Sequence, residues 1–151
     1  MNLEHLLHMG ASMSTKVMQA SDLARAYIET LGAGRLAECL SLFRDDAVLE
    51  FPRTVSTPHR LGKDEFRAML ARASGVFDGW PRYTLMHQTS ESNRSCIEFR
   101  GVGKLKNGPE FEFLYCIIFE AEDGLITQMR EYLDTHHMLG AFSSVTGRDS
   151  S

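Results

Sequence analysis

Residues 110–136 read EFEFLYCIIFEAEDGLITQMREYLDTH, two long apolar runs separated by the turn Glu122-Asp-Gly124. Aspartate and glycine both tolerate the left-handed backbone of a tight turn, so the stretch predicts a hairpin with strands over 110–122 and 125–136. Two further strands are predicted upstream, over 83–89 and 95–104. Together these four strands predict an antiparallel meander in the C-terminal half of the chain.

The N-terminal half shows helical periodicity instead. Leu23, Tyr27 and Leu31 recur every four residues, as one face of a helix requires. The sequence predicts helices over 21–32, 36–44 and 63–73, and a short strand over 47–51. Helices followed by a meander indicate an α+β fold in which the helices pack on one face of the sheet.

Composition restricts the class of protein. The chain has 151 residues, a suitable length for one domain, with a net charge of −4 and scattered basic residues. We therefore expect no nucleic-acid partner. Three cysteines without CxxC spacing, no export signal and no run of about 18 apolar residues favour a cytoplasmic protein that does not enter a membrane. The domain is predicted over 21–142, between a flexible tail at 1–20 and a polar tail at 143–151.

Three segments resemble a known superfamily. Residues 26–34 (AYIETLGAG) and 42–52 (LFRDDAVLEFP) resemble the opening of ketosteroid isomerases and their SnoaL-like relatives, and residues 123–135 resemble the last strand. The resemblance covers about 21–141. It implies the cone-shaped, nuclear transport factor 2-like fold, with three N-terminal helices on a strongly curved, mainly antiparallel sheet and a pocket between them. This superfamily includes isomerases, polyketide cyclases, epoxide hydrolases, dehydratases and binding modules, so the resemblance specifies a fold and not a reaction.

Carried over residue by residue, the resemblance gives an incomplete catalytic set. Tyr27 matches the tyrosine that holds the enolate in ketosteroid isomerases. The two isomerase aspartates fall on Phe51 and, counting without a gap, on Cys116, so steroid-type isomerisation is not expected. Residues 130–134 resemble the epoxide hydrolase segment that carries an acid, which places that acid at Glu131. Arg100 matches the arginine of the neighbouring strand, but the aspartate that accompanies it is missing.

Strand alternation leads to the same carboxylate. It places Glu131 in a row with Leu125, Thr127, Met129 and Leu133, which is otherwise mostly apolar. If this row faces the helices, burial raises the pKa of Glu131 and suits it to proton transfer near neutral pH. A structural ion pair with Arg100, or an exposed position at a sheet edge, are the alternatives.

The predicted site has three catalytic residues and a larger apolar lining. Glu131 is predicted to move protons, while Tyr27 and Arg100 orient the ligand or stabilise charge. His87 is alternatively a structural histidine, and Cys116 an inert buried thiol. No metal-ligand spacing is present, so neither a metal nor a cofactor is expected. The predicted ligand-binding residues are Leu49, Phe51, Trp80, His87, Leu114, Cys116, Ile118, Met129 and Leu133.

These observations suggest a cofactor-independent enzyme for a small apolar or amphipathic molecule. The reaction would be an isomerisation, cyclisation, dehydration or hydration. A non-catalytic ligand-binding module and a dimeric adaptor are the alternatives. A homodimer is predicted through the outer face of the sheet, because Ile126, Arg130 and Tyr132 with their apolar neighbours would otherwise leave a large exposed patch.

Overall fold

The computed structural model describes residues 16–53 and 59–146, with side chains up to residue 143. Within these ranges, the helices are too short or too polar to cross a bilayer. In chain order the elements are α1 (Ala20–Gly32), α2 (Leu36–Ser41), β1 (Phe43–Glu50), β2 (Arg60–Leu61), α3 (Lys63–Val76), β3 (Arg82–Glu91), β4 (Arg94–Lys104), β5 (Glu110–Glu122), β6 (Leu125–Leu133) and α4 (Thr135–Thr146).

The six strands form one mixed sheet in the order β2-β1-β6-β5-β4-β3. β1 runs parallel to β6, and every other neighbouring pair is antiparallel. α1 and α3 contact the sheet, and the largest core cluster lies between them and its inner face. The α+β fold predicted from the sequence, with helices packed on one face of a mainly antiparallel sheet, is confirmed.

The hairpin turns follow the predicted chemistry. Asp123 and Gly124 have φ angles of 51° and 78°, both left-handed, as a two-residue type I′ turn requires. Ser92 and Asn107, in the other two turns, also have positive φ angles, of 51° and 59°. These turns confirm the four-stranded meander.

The second helix is shorter than predicted. The predicted range was 36–44, but α2 ends at Ser41, and Asp45 and Asp46 belong to β1. Phe43, inside the predicted helical range, begins β1 and is 1% exposed. Both aspartates are exposed and paired with cations: Asp46 with Arg44, and Asp45 with Lys63 at 2.9 Å. Burial of Phe43 under the helices, and not the acidic pair Asp45 and Asp46, therefore determines the boundary between α2 and β1.

The last predicted strand ends three residues early and is followed by a helix. The backbone N–H of His137 donates to Asp134 Oδ1 at 3.0 Å, so Asp134 acts as the N-cap of α4. This interaction lowers the pKa of Asp134. α4 covers a second apolar cluster that includes Phe111 and Phe113, and it extends past the predicted domain end at residue 142.

Candidate active site

A cavity of about 230 Å³ lies between α1, α3 and the inner face of the sheet, with α4 at its rim. Its lining is mainly aromatic and aliphatic, and Glu131 is the one charged side chain among the described residues that line it. Three tyrosines, Tyr27, Tyr83 and Tyr115, also line the cavity. The site is therefore a carboxyl group in an apolar enclosure with three hydroxyl groups.

Glu131 lies on β6, two residues before the strand ends, directly opposite Ile117 of β5. Protein surrounds the side chain, and burial raises its pKa from the ordinary 4.5 to about 7. The residue nevertheless keeps some accessible surface, because the cavity adjoins it. Across the described ranges, no hydrogen bond or ion pair involves its carboxylate. A carboxyl group without a protein partner is thus left facing the cavity.

The three tyrosines come from different elements: Tyr27 from α1, Tyr83 from β3 and Tyr115 from β5. Burial is the largest cause that raises the pKa of each hydroxyl group, and the charge of Glu131 raises all three further. Each phenol therefore stays protonated at neutral pH and can donate a hydrogen bond. None of the three hydroxyl groups has a hydrogen-bond partner in the part of the chain that the structure describes.

The absence of a side chain at Gly101 allows two of these tyrosines to pack side by side. A Cβ atom at Gly101 would lie 2.8 Å from Cε1 of Tyr83 and 3.0 Å from Cε2 of Tyr115. The two rings meet edge to face at a centroid distance of 6.3 Å, and Tyr115 stacks on Phe99 at 4.7 Å. Gly101 therefore positions the cavity wall by leaving space for both rings.

Three predicted ligand-binding residues line the cavity: Phe51, Trp80 and Leu133. The indole N–H of Trp80 donates to the carbonyl of Leu31, which fixes the ring at the end of α1. Two others, Leu49 and Met129, also face inward but are 0% exposed and belong to the core beneath the lining.

Leu114, Cys116 and Ile118 do not line the cavity, so this part of the predicted site is wrong. Leu114 is 61% exposed, and on the same outer face Ile118 pairs with Arg130. A regular hairpin through the two-residue turn would pair Met129 with Ile118. Instead, the register shifts by one residue, which is a β-bulge that leaves Thr127 unpaired. The inward residues of β5 are consequently Tyr115, Ile117 and Phe119.

The same bulge moves Ile126 away from the predicted dimer face. Ile126 is 0% exposed and packs in the core on the same side as Met129, although the two positions differ by three, an odd number. Arg130 and Tyr132 do lie on the outer face, where Arg130 pairs with Glu120 at 2.7 Å.

Arg100 and His87 also lie outside the cavity, contrary to prediction. The Arg100 side chain is 48% exposed on the outer face of β4, 4.0 Å from Glu112. His87 is exposed, and a register shift in β3 pairs it with Glu98 on the same outer face. Hence neither residue can contact a ligand that is bound beside Glu131.

Tyr83 and Tyr115 were not predicted from the sequence, although β5 carries a signal for Tyr115. Its odd-numbered positions from 111 to 119 hold four aromatic residues and Ile117, whereas the even row begins and ends with glutamate. The bulky apolar row is the one expected to face the core. That criterion selects Tyr115, whereas a gap-free count from β6 selects Cys116.

Comparison with known proteins agrees with this architecture. A sequence model of the SnoaL-like domain matches residues 24–129. The chain belongs to the SnoaL-like domain family. The matched range includes Tyr27, Tyr83 and Tyr115, and it ends two residues before Glu131. No curated protein matches the sequence.

Solved structures share the fold at low sequence identity. An NTF2-like protein of unknown function from Burkholderia pseudomallei superposes with a TM-score of 0.73 and 16% identity, over 82% of this chain and 98% of that one. A Pseudomonas putida protein proposed to be a polyketide cyclase superposes with a TM-score of 0.69 and 18% identity, over 82% of this chain and 98% of that one. An M. tuberculosis LEH-like epoxide hydrolase superposes with a TM-score of 0.65 and 20% identity, over 84% of this chain and 92% of that one. The SnoaL-like protein therefore has an NTF2-like fold.

Proposed function

We propose that this SnoaL-like protein binds a small, largely apolar molecule in the cavity and catalyses a cofactor-independent proton transfer on it. The observation that carries the proposal is the Glu131 carboxyl group, buried among aromatic side chains without a protein partner. A ligand in the cavity that hydrogen-bonds to this carboxyl group gains affinity. The reaction would be an isomerisation, cyclisation, dehydration or hydration.

The chemistry follows from the protonation states of the four polar groups. With a pKa of about 7, Glu131 exists in both forms near neutral pH, so it can remove a proton from a carbon and return it elsewhere. If that carbon lies beside a carbonyl group, negative charge develops on the carbonyl oxygen. The protonated hydroxyl groups of Tyr27, Tyr83 and Tyr115 would donate hydrogen bonds to this oxygen. In a cavity with little water such bonds are stronger than in solution.

The dimensions and charge of the cavity restrict the ligand. A volume of about 230 Å³ is below the range of roughly 300–1,000 Å³ that is typical of pockets for drug-sized ligands. No cationic side chain belongs to the described lining, so an anionic group would be buried uncompensated beside Glu131. A compact, uncharged and partly unsaturated carbonyl compound fits these properties best. The polyketide cyclase proposed in Pseudomonas putida and the M. tuberculosis epoxide hydrolase suggest that this fold accommodates several reactions.

Hydrogen exchange tests the proposal without knowledge of the natural substrate. Small cyclic ketones such as 2-cyclohexenone and 1-indanone would be incubated with the protein in D₂O, and exchange next to the carbonyl followed by NMR. We expect wild-type protein to accelerate the exchange and Glu131→Gln to abolish the acceleration. Glu98→Gln, on the exposed outer face, is the matched control and should retain it. Equal rates for wild type and Glu131→Gln would refute the catalytic role.

A non-catalytic binding module is the second candidate. In the resemblance, the two isomerase aspartates fall on Phe51 and Cys116. Phe51 lines the cavity but carries no acid, and Cys116 lies outside the cavity, so both positions favour binding without catalysis. In that case the ketones would shift NMR resonances of cavity residues equally in wild type and Glu131→Gln, without accelerated exchange.

We also propose that two copies associate through the outer face of the sheet. Leu114 and Tyr132 lie there on neighbouring strands and are 61% and 53% exposed. Exposed aromatic and aliphatic side chains in one patch are typical of protein interfaces. The adaptor role would rest on this surface alone, independent of the cavity.

A further inference from the structure

Two free cysteines contact each other on the outer face of the sheet, away from the cavity. Cys96 lies on β4 opposite Ile118, and Cys116 lies on β5 opposite Glu98, so the two thiols occupy diagonal positions on neighbouring strands. Their Sγ atoms are 3.5 Å apart, and both side chains are partly exposed. The remaining cysteine, Cys39, is 0% exposed in the core. The pair is therefore a preformed dithiol that solvent can reach.

The positions suit a bridging ion better than a direct disulfide. A disulfide requires an S–S distance of about 2.05 Å and a Cα separation of usually 4.4–6.8 Å. Diagonal residues of an antiparallel pair are about 7–8 Å apart, so the strands would have to move. In contrast, a soft ion at about 2.3 Å from both sulfur atoms would have an S–ion–S angle of about 100°, which is close to the tetrahedral angle. The sulfur atoms already have the spacing of a chelate.

We propose that Cys96 and Cys116 form a bidentate binding site for one thiophilic ion, of which trivalent arsenic is the representative. Within the described ranges, no cluster of three or more His, Cys, Asp or Glu side chains could hold a metal. An ion that takes two protein sulfur atoms and brings its own remaining ligand is therefore preferred. Sulfur ligands select such soft ions over hard cations. This inference is independent of the proposed function.

Phenylarsine oxide is the simplest probe because arsenic then carries one phenyl group and needs two sulfur atoms. Two S–H bonds break, two As–S bonds form, and the oxygen leaves with both protons as one water molecule. The oxidation state of arsenic does not change. Burial, together with the Cys96 thiol and the Glu98 charge, raises the pKa of Cys116 to about 11, so the residue remains a thiol at neutral pH. Alkylating reagents that need one thiolate should therefore react slowly at Cys116.

Native mass spectrometry of the full chain with phenylarsine oxide tests the site. We expect one adduct on the wild-type protein, which 2,3-dimercaptopropanol removes and a monothiol at the same concentration does not. Cys96→Ser and Cys116→Ser should each weaken the binding by about 100-fold or more, because the second sulfur atom binds intramolecularly. Cys39→Ala leaves the pair intact and should bind like wild type. Circular dichroism of each variant establishes that it is folded.

Three results would overturn the proposal. These are an unchanged affinity in either folded serine variant, an adduct that appears only in urea, and no adduct at any protein concentration. The measurement is repeated over a range of protein concentrations. A dimer contact over Cys116 would make the dithiol inaccessible only at concentrations where the proposed dimer is populated.

Discussion

At the scale of single residues, Glu131 makes stability depend on pH. Burial raises the carboxyl pKa from 4.5 in an unfolded chain to about 7 in the folded protein. The folded protein therefore binds the proton more tightly, and this contribution is fully present below pH 4.5 and lost as pH rises through 7. The shift corresponds to about 3 kcal/mol of unfolding free energy.

We therefore predict that Glu131→Gln removes this dependence. The stability of wild type relative to Glu131→Gln should fall by about 3 kcal/mol between pH 4 and pH 8. Urea unfolding of both proteins across this range measures the difference, in which contributions from other groups cancel. A difference that stays constant with pH would show that the carboxyl group is solvated.

Tyr115→Phe tests the hydroxyl groups as donors to an oxyanion. The substitution keeps the ring that stacks on Phe99 and removes only the hydroxyl group. We predict a ketone exchange rate lowered by roughly 10²-fold, with little change in the unfolding midpoint because the hydroxyl group has no described protein partner. Tyr132→Phe, on the exposed outer face, should leave the rate unchanged. Equal rates for all three proteins would contradict the role of Tyr115.

At the scale of the element, β4 shapes the cavity through Gly101. Gly101→Ala places a methyl group about where Tyr83 and Tyr115 already pack, so both rings must move. We predict a destabilisation of about 1–3 kcal/mol and altered ligand-induced shifts in the cavity. Gly75→Ala is the control, since no atom lies within 4 Å of its new Cβ in α3. A helical glycine replaced by alanine should be neutral or gain up to about 1 kcal/mol.

The hairpin turns were easier to predict from sequence than the faces of the strands. The Asp123-Gly124 turn specifies the hairpin, because both residues adopt a positive φ that most side chains avoid. The bulge at Thr127 has no comparable signal, yet it reverses which side of β5 faces Met129. One inserted residue is enough, because side chains alternate along a strand. The ligand-binding assignment on β5 failed for this reason.

At the scale of the whole molecule, the proposed dimer can be tested on the outer face of the sheet. We predict that wild-type protein sediments as a dimer at micromolar concentration and that Leu114→Glu shifts it to monomer. A charged side chain that is buried in the contact loses its hydration, which costs free energy. Val17→Glu, 53% exposed outside the sheet, is the control and should remain dimeric. Sedimentation velocity separates the two states, and a wild-type monomer at these concentrations would refute the proposed dimer.

The sequence by itself determined the first three helices, the four-stranded meander with its hairpin turns, and the candidate carboxylate in an apolar row. These properties depend on local conformational preference and on periodicity, which neighbouring residues along the chain reveal. Only the tertiary structure decided that Tyr83 and Tyr115 join Tyr27 around Glu131, while Arg100 and Cys116 lie on the opposite face. Strand register and the space above Gly101 arise from packing between segments that are distant in sequence, and no local pattern encodes them.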